Sequence, residues 1–151
     1  MPDNTTRDET PPFIDEHRVL VRAPAAVVWR ALTGRPFGGP ASGTLAAILG
    51  TEPTRSSGEP FTKGSTVPGF KVSEAVPGER LTFTGRHRFS RYMLRFTLEA
   101  RAEATELVAS SYATFPGLHG KAYRLMVIGT GAHKVLVNRM LKQVREDAER
   151  D

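Results

Sequence analysis

Through the middle of the chain, apolar and polar residues alternate with a period of two. Four runs carry the alternation: Phe70 to Val76, Arg80 to Arg88, Arg91 to Arg101 and Thr105 to Phe115. Their separators, Pro77-Gly78-Glu79, Phe89-Ser90 and Glu103-Ala104, are short enough for antiparallel hairpins. Side-chain parity links the runs. Leu81, Phe83, Gly85 and His87 share one side of their strand. An even turn at Phe89-Ser90 puts Tyr92, Leu94, Phe96 and Leu98 on that same side and pairs His87 with Tyr92. A second even turn at Glu103-Ala104 adds Leu107, Ala109, Ser111, Ala113 and Phe115. The agreement between independent strands predicts a meander with one apolar face.

The flanks read differently. His17 to Ala23 is a short strand whose odd positions, His17, Val19, Val21 and Ala23, make the better buried face. Pro24 stops it and suits the first turn of a helix over Ala25 to Leu32, with Val28, Trp29 and Leu32 at helical spacing and Gly34 beyond. Phe37-Gly38-Gly39-Pro40 links this to a second short helix, Ser42 to Leu49. The loop-like stretch after it has room for one more strand between Thr51 and Val67. From Leu118 to about Glu149 the period becomes 3.6, with Leu118, Ala122, Leu125, Met126, Gly129, Ala132, Leu136, Met140 and Val144 on one stripe. Such a helix of about 30 residues is ~45 Å long, enough to cross a small sheet, and Gly129 and Gly131 mark a weak point in it. Residues 1–12 are polar and aperiodic, the pattern of a disordered tail ahead of a single domain over 13–151.

Composition narrows the chemistry. The 151 residues carry 21 Lys+Arg against 16 Asp+Glu, a net charge of +5. That excess favours an anionic partner only weakly, and a nucleic-acid partner is disfavoured at so small a charge. There is no cysteine, which excludes disulfides, zinc knuckles, iron–sulfur ligation and a thiol nucleophile. The longest apolar runs, such as Leu125 to Ile128, are too short to span a membrane, and Met1-Pro2-Asp3-Asn4 does not open a signal peptide. These features predict a soluble, cytoplasmic protein, a monomer or a homodimer.

The order of one strand, two short helices, a loop, a meander and a long amphipathic helix resembles the helix-grip fold of the START and Bet v 1-like superfamily. The bacterial polyketide cyclase/dehydrase-like, SRPBCC-type proteins belong to that superfamily. The residues carrying the resemblance are Val19 to Leu32, with their Ala-Pro…Val-Trp…Leu step from strand to helix, and Val72 to Leu81 around Pro77-Gly78. The resemblance implies an α+β fold in which a curved antiparallel sheet of six to seven strands wraps around the long C-terminal helix. It also implies a cavity between them for a small hydrophobic or polyketide-like ligand. Three functions follow from it and from the charge pattern: a binder of such a ligand, a cofactor-independent cyclase or dehydratase, or a module that meets nucleic acid or an anionic membrane through a basic surface.

Polar residues on the apolar faces are the candidates for chemistry. His87 faces Tyr92 on the expected register, a hydrogen-bonding or acid/base pair in the cavity or, alternatively, a half-exposed histidine beside a turn. His133 falls inside the helical stripe, where an unpaired imidazole costs roughly 1–3 kcal/mol unless a ligand or a protein group satisfies it. Glu74 shares the parity of Phe70, Val72 and Val76; an inward carboxylate there has its pKa raised by desolvation, whereas a bulge would turn it to solvent. His87, His133 and Glu74 are therefore the acid/base candidates. Phe83, Tyr92, Phe96 and Ser111 line the sheet side of the expected cavity, and Gly129 opens space on the helix side. His119 and Tyr123, four apart, cover its mouth or simply pack the helix start. The four histidines are too scattered for a metal site, and no Gly-x-Ser-x-Gly elbow is present, so no metal or cofactor is expected. Arg86, Arg88, Arg91 and Arg95 face away from the apolar set, either as a solvated outer face or as the basic surface of the third reading.

Overall fold

The computed structural model describes residues 10–34, 58, 61–67, 70–87, 90–115, 117–125 and 131–150. Strand β1 (Phe13–Val21) leads into helix α1 (Ala25–Thr33). Strands β2 (Thr66–Val67), β3 (Phe70–Val76), β4 (Arg80–His87), β5 (Ser90–Ala100) and β6 (Thr105–Thr114) follow. Helices α2 (Gly117–Arg124) and α3 (Ala132–Arg150) close the order. All neighbouring strands are antiparallel, in the order β1-β6-β5-β4-β3-β2.

Only five of these strands are of full length, because β2 contributes 2 residues. The sheet is open, with β1 and β2 at its edges, and does not wrap around a central helix as the resemblance implied. A two-residue edge offers too few ladder bonds to close a sheet. Helix α3 instead packs chiefly along β1 and α1, over one side of the sheet. The second short helix expected at Ser42 to Leu49, Gly129, and most of the stretch from Thr51 to Val67 lie outside the described residues.

Side-chain parity explains the core. Leu81, Phe83, Phe96, Leu98, Leu107 and Ala109 all point to one face, the inner face, where α1 supplies Val28 and Leu32. Phe83 and Phe96 meet edge-on, with ring centroids 6.3 Å apart and planes at 89°. The registers differ from expectation by two residues at both hairpins: His87 pairs with Ser90 rather than Tyr92, and Ala100 pairs with Thr105. A slip of two leaves every side chain on its expected face. At the joint between β1 and α1 the buried Thr105 hydroxyl donates to the Ala23 carbonyl at 2.8 Å. The β1 ladder begins early, since the Ala113 N–H donates to the Pro12 carbonyl at 2.9 Å.

The C-terminal period of 3.6 is expressed as two helices. Gly131 has φ 76°, a left-handed conformation no helix interior tolerates, and its carbonyl accepts the Val135 N–H to start α3. The buried stripe of α3 is Val137, Leu141, Val144 and Ala148, while Leu118, Leu125 and Leu136 are exposed. This corrects the single continuous stripe drawn from the sequence. A Cβ at Gly131 would meet no atom within 4 Å, so only the backbone resists substitution there. Gly131→Ala is accordingly expected to cost about 1–2 kcal/mol, read as a lower urea midpoint at unchanged slope.

Candidate functional site

Along the inner face, the apolar core gives way to polar side chains towards the start of β1. The cause is local. Ile14 is an extra residue in the β1–β6 ladder, because Phe13 pairs with Tyr112 and Asp15 with Ser111. This bulge sends Phe13 to the outer face, where its ring meets Tyr112 at 5.7 Å, and turns Asp15 inward beside His17. The two side chains, two apart on one strand face, hold a 3.1 Å contact between His17 Nε2 and Asp15 Oδ2. They are 13% and 27% exposed, so the pair is largely withdrawn from water. Ser111, buried, lies directly across from Asp15, and Leu94 lies across from Ser111.

Aromatic rings form the other side. Tyr92 meets Phe70 at 5.3 Å, and Phe70 meets Phe83 at 5.9 Å, both edge-on. Burial, helped by the neighbouring Tyr123, pushes the Tyr92 phenol up to about 12. Burial also pushes Tyr123 upwards. Both phenols therefore keep their protons at neutral pH and can donate hydrogen bonds. Tyr123 lies on α2 with its ring 6.3 Å from Phe115, whose face carries the Arg124 guanidinium at 5.8 Å. Two strand spacings, about 10 Å, separate β1 from β5. The surface thus presents a carboxylate–imidazole pair on β1, phenols on the other side, and Ala109, Ser111 and Ala113 of β6 between.

The sequence candidates distribute unevenly over this picture. Ser111, Tyr92 and the half-buried Tyr123 lie at this end of the inner face. Phe83 and Phe96 are 1% and 0% exposed, inside the core. His119 is exposed on α2. Glu74 is not on the inner face. An irregularity between Val72 and Glu74 flips its parity, so it pairs with Thr82 on the outer side. There the Arg80 guanidinium, donating from Nε and the neighbouring nitrogen, holds its carboxyl below the usual carboxylate range, with Arg95 adding to the effect. Of the two orientations open from the sequence the outward one is realised, and its ion pair with Arg80 corrects Glu74 as an inward acid/base candidate. His87 ends β4 and His133 lies in the first turn of α3, but their side chains are outside the described residues. Asp15 and Phe70 went unrecognised as site residues, and His17 was read only as a buried position. The available signal was Asp-x-His on a strand, a spacing that puts both groups on one face.

Among the described residues no three His, Asp or Glu side chains converge as metal ligands, and no helix is long and apolar enough to cross a membrane. No protein-family model matches the sequence, and no curated protein is detectably similar to it. Solved structures are similar. A protein from Nitrosospira multiformis aligns with a TM-score of 0.57 at 13% identity, over 90% of this chain and 95% of that one. A protein from Chromobacterium violaceum aligns at 0.52 and 17% identity, over 91% and 97%. CalU16 from Micromonospora echinospora aligns at 0.50 and 17% identity, over 89% and 82%. At such identities the likeness is one of fold. What is shared is an open antiparallel sheet with a long C-terminal helix packed on one side.

Proposed function

We propose that the protein binds a small hydrophobic molecule of polyketide-like character between the inner face of the sheet and the C-terminal helices. The observation carrying this reading is the Asp15–His17 pair, withdrawn from water beside Ser111 and opposite the Tyr92 phenol on an otherwise apolar face. Leu94 and Phe70 would contact the apolar body of the ligand, while the imidazole and the phenol would anchor polar groups at its two edges. Tyr123 and His119 on α2 would complete the wall on the helix side.

The same pair favours a second reading, a cofactor-independent proton transfer of the cyclase or dehydratase type. A histidine oriented by a carboxylate is a competent general base near neutral pH, and a protonated phenol stabilises a developing enolate oxygen. His87 and His133 would be further acid/base groups of that site.

Native mass spectrometry of the purified protein identifies any co-purifying small molecule, and titration with N-phenyl-naphthylamine, a neutral fluorescent probe, measures the site. His17→Phe is expected to weaken the probe or the co-purified ligand about tenfold, the effect of one lost polar anchor. Lys142→Ala, on the exposed side of α3, should leave affinity unchanged. Equal affinity for His17→Phe and the parent overturns the assignment of this face.

A further inference from the structure

The outer face of the sheet, remote from the helices, carries a cleft of its own, about 250 Å³ in volume, over β4 and β5. Its floor is Met93, only 6% exposed. Thr82 and Thr84, directly across from Arg95 and Met93, put hydroxyls along one side, and Thr10-Pro11 forms a wall. Arg91 and Arg95 stand at its ends, four residues apart on β5 and so about 13 Å from one another along the strand. Arg86 pairs directly with Arg91, which sets two guanidinium groups side by side on one face. The carboxylate in the lining, Glu74, is bonded chiefly to Arg80, with a weaker attraction to Arg95.

We propose that this cleft binds a small molecule through an oxyanion group, a phosphate or a carboxylate, held by Arg91 and Arg95 with the Thr84 hydroxyl as a further donor. Arg95 is already oriented, since its Nε donates to Thr82 Oγ1 at 3.3 Å. Guanidinium groups suit this task because their planar N–H pairs match the two oxygens of such an anion. The remainder of the outer face argues for a small ligand over a long polyanion. Towards β1, Arg18 is bonded to Glu16 and Glu106, and Arg101 to Glu99 and Glu106. A nucleic-acid strand extending from the cleft towards β1 would therefore meet the carboxylates of Glu16, Glu99 and Glu106. The guanidinium groups of this cleft lie on the opposite face of the sheet from Asp15 and His17, although Tyr92 of the inner face also borders it.

The test is calorimetric and NMR titration of the full chain with inorganic pyrophosphate and, separately, citrate, at low ionic strength and again in 0.15 M salt, where the Debye length falls to about 8 Å. Saturable binding of either probe, with amide shifts at Thr82, Thr84 and Arg95, is expected. The double variant Arg91→Gln, Arg95→Gln should weaken it at least about tenfold, while Lys142→Gln on α3 leaves it unchanged. The far-ultraviolet spectrum and melting temperature of the double variant report whether it is folded, and the single variants Arg91→Gln and Arg95→Gln, each weakening binding, serve if it is not. Absence of saturation with both probes overturns the proposal, as does equal weakening by Lys142→Gln. Binding confined to oligonucleotides longer than the cleft overturns it in favour of a nucleic-acid surface.

Discussion

Phe96→Ala is expected to lower the melting temperature by roughly 6–20 °C. Phe96 has no exposed surface and lies on β5, with β6 and β4 on either side of it. Its ring stands edge-on to Phe83, and the same cluster includes residues of α1 and α3. Truncating such a side chain removes its transfer free energy and leaves a void that close-packed neighbours only partly fill, together about 3–5 kcal/mol. For a domain of this size each kcal/mol moves the midpoint by roughly 2–4 °C or somewhat more. Phe13→Ala provides the contrast: that ring is 57% exposed and meets only the outer-face Tyr112 among the described aromatic pairs. Its melt should stay within about 3 °C of the parent. Thermal circular dichroism of the two variants decides the matter, and similar midpoints for both would show that the core is centred elsewhere.

The second large effect is alkaline. The Tyr92 phenol titrates near 10 when unfolded and is pushed up to about 12 in the native state, by burial first and by Tyr123 second. Between these values the unfolded chain has lost the proton that the native protein keeps, so unfolding is favoured as pH rises. The contribution of this phenol is complete below pH 10 and is lost progressively up to about pH 12, where it amounts to about 2–3 kcal/mol. Tyr92→Phe removes the titrating group and should flatten that part of the stability curve. Urea titrations of parent and variant between pH 9 and 12 measure the difference. Parallel curves would mean that the Tyr92 hydroxyl is solvated in the native protein.

What could be read from the pattern of residues, and what could not, has a common physical origin. Alternation specifies the face of each side chain within a strand, and turns of even length carry that face from Leu81 to Phe96 and Leu107. It specifies register only up to multiples of two, which is why His87 was matched with Tyr92 when its partner is Ser90. Parity itself fails at an inserted residue, and an insertion has no periodic signature. The bulge at Ile14 therefore hides the inward turn of Asp15, and the irregularity after Val72 decides for the outward of the two orientations that the sequence leaves open for Glu74. The helical stripe failed for a related reason. Phase carries along a helix only while the helix is continuous, and Gly131 in its left-handed conformation resets it before Val137 and Leu141. The fold was thus legible from runs of residues, whereas the site depends on the single positions where those runs are interrupted.

The pairing of β1 with β6 sets an order of assembly. Strands β3 to β6 are joined by short turns and can zip together locally, whereas β1 bonds to residues more than about eighty positions away and must first close that loop. Asp15 and His17 are delivered to Ser111 only by this last seam. Half of the inner-face polar cluster therefore arrives from one end of the domain and half from the other. A nascent chain whose β6 has not yet emerged carries the meander's first strands but no such cluster. In the finished protein, a fluctuation that parts this one seam dismantles the cluster while every hairpin of the meander stays intact.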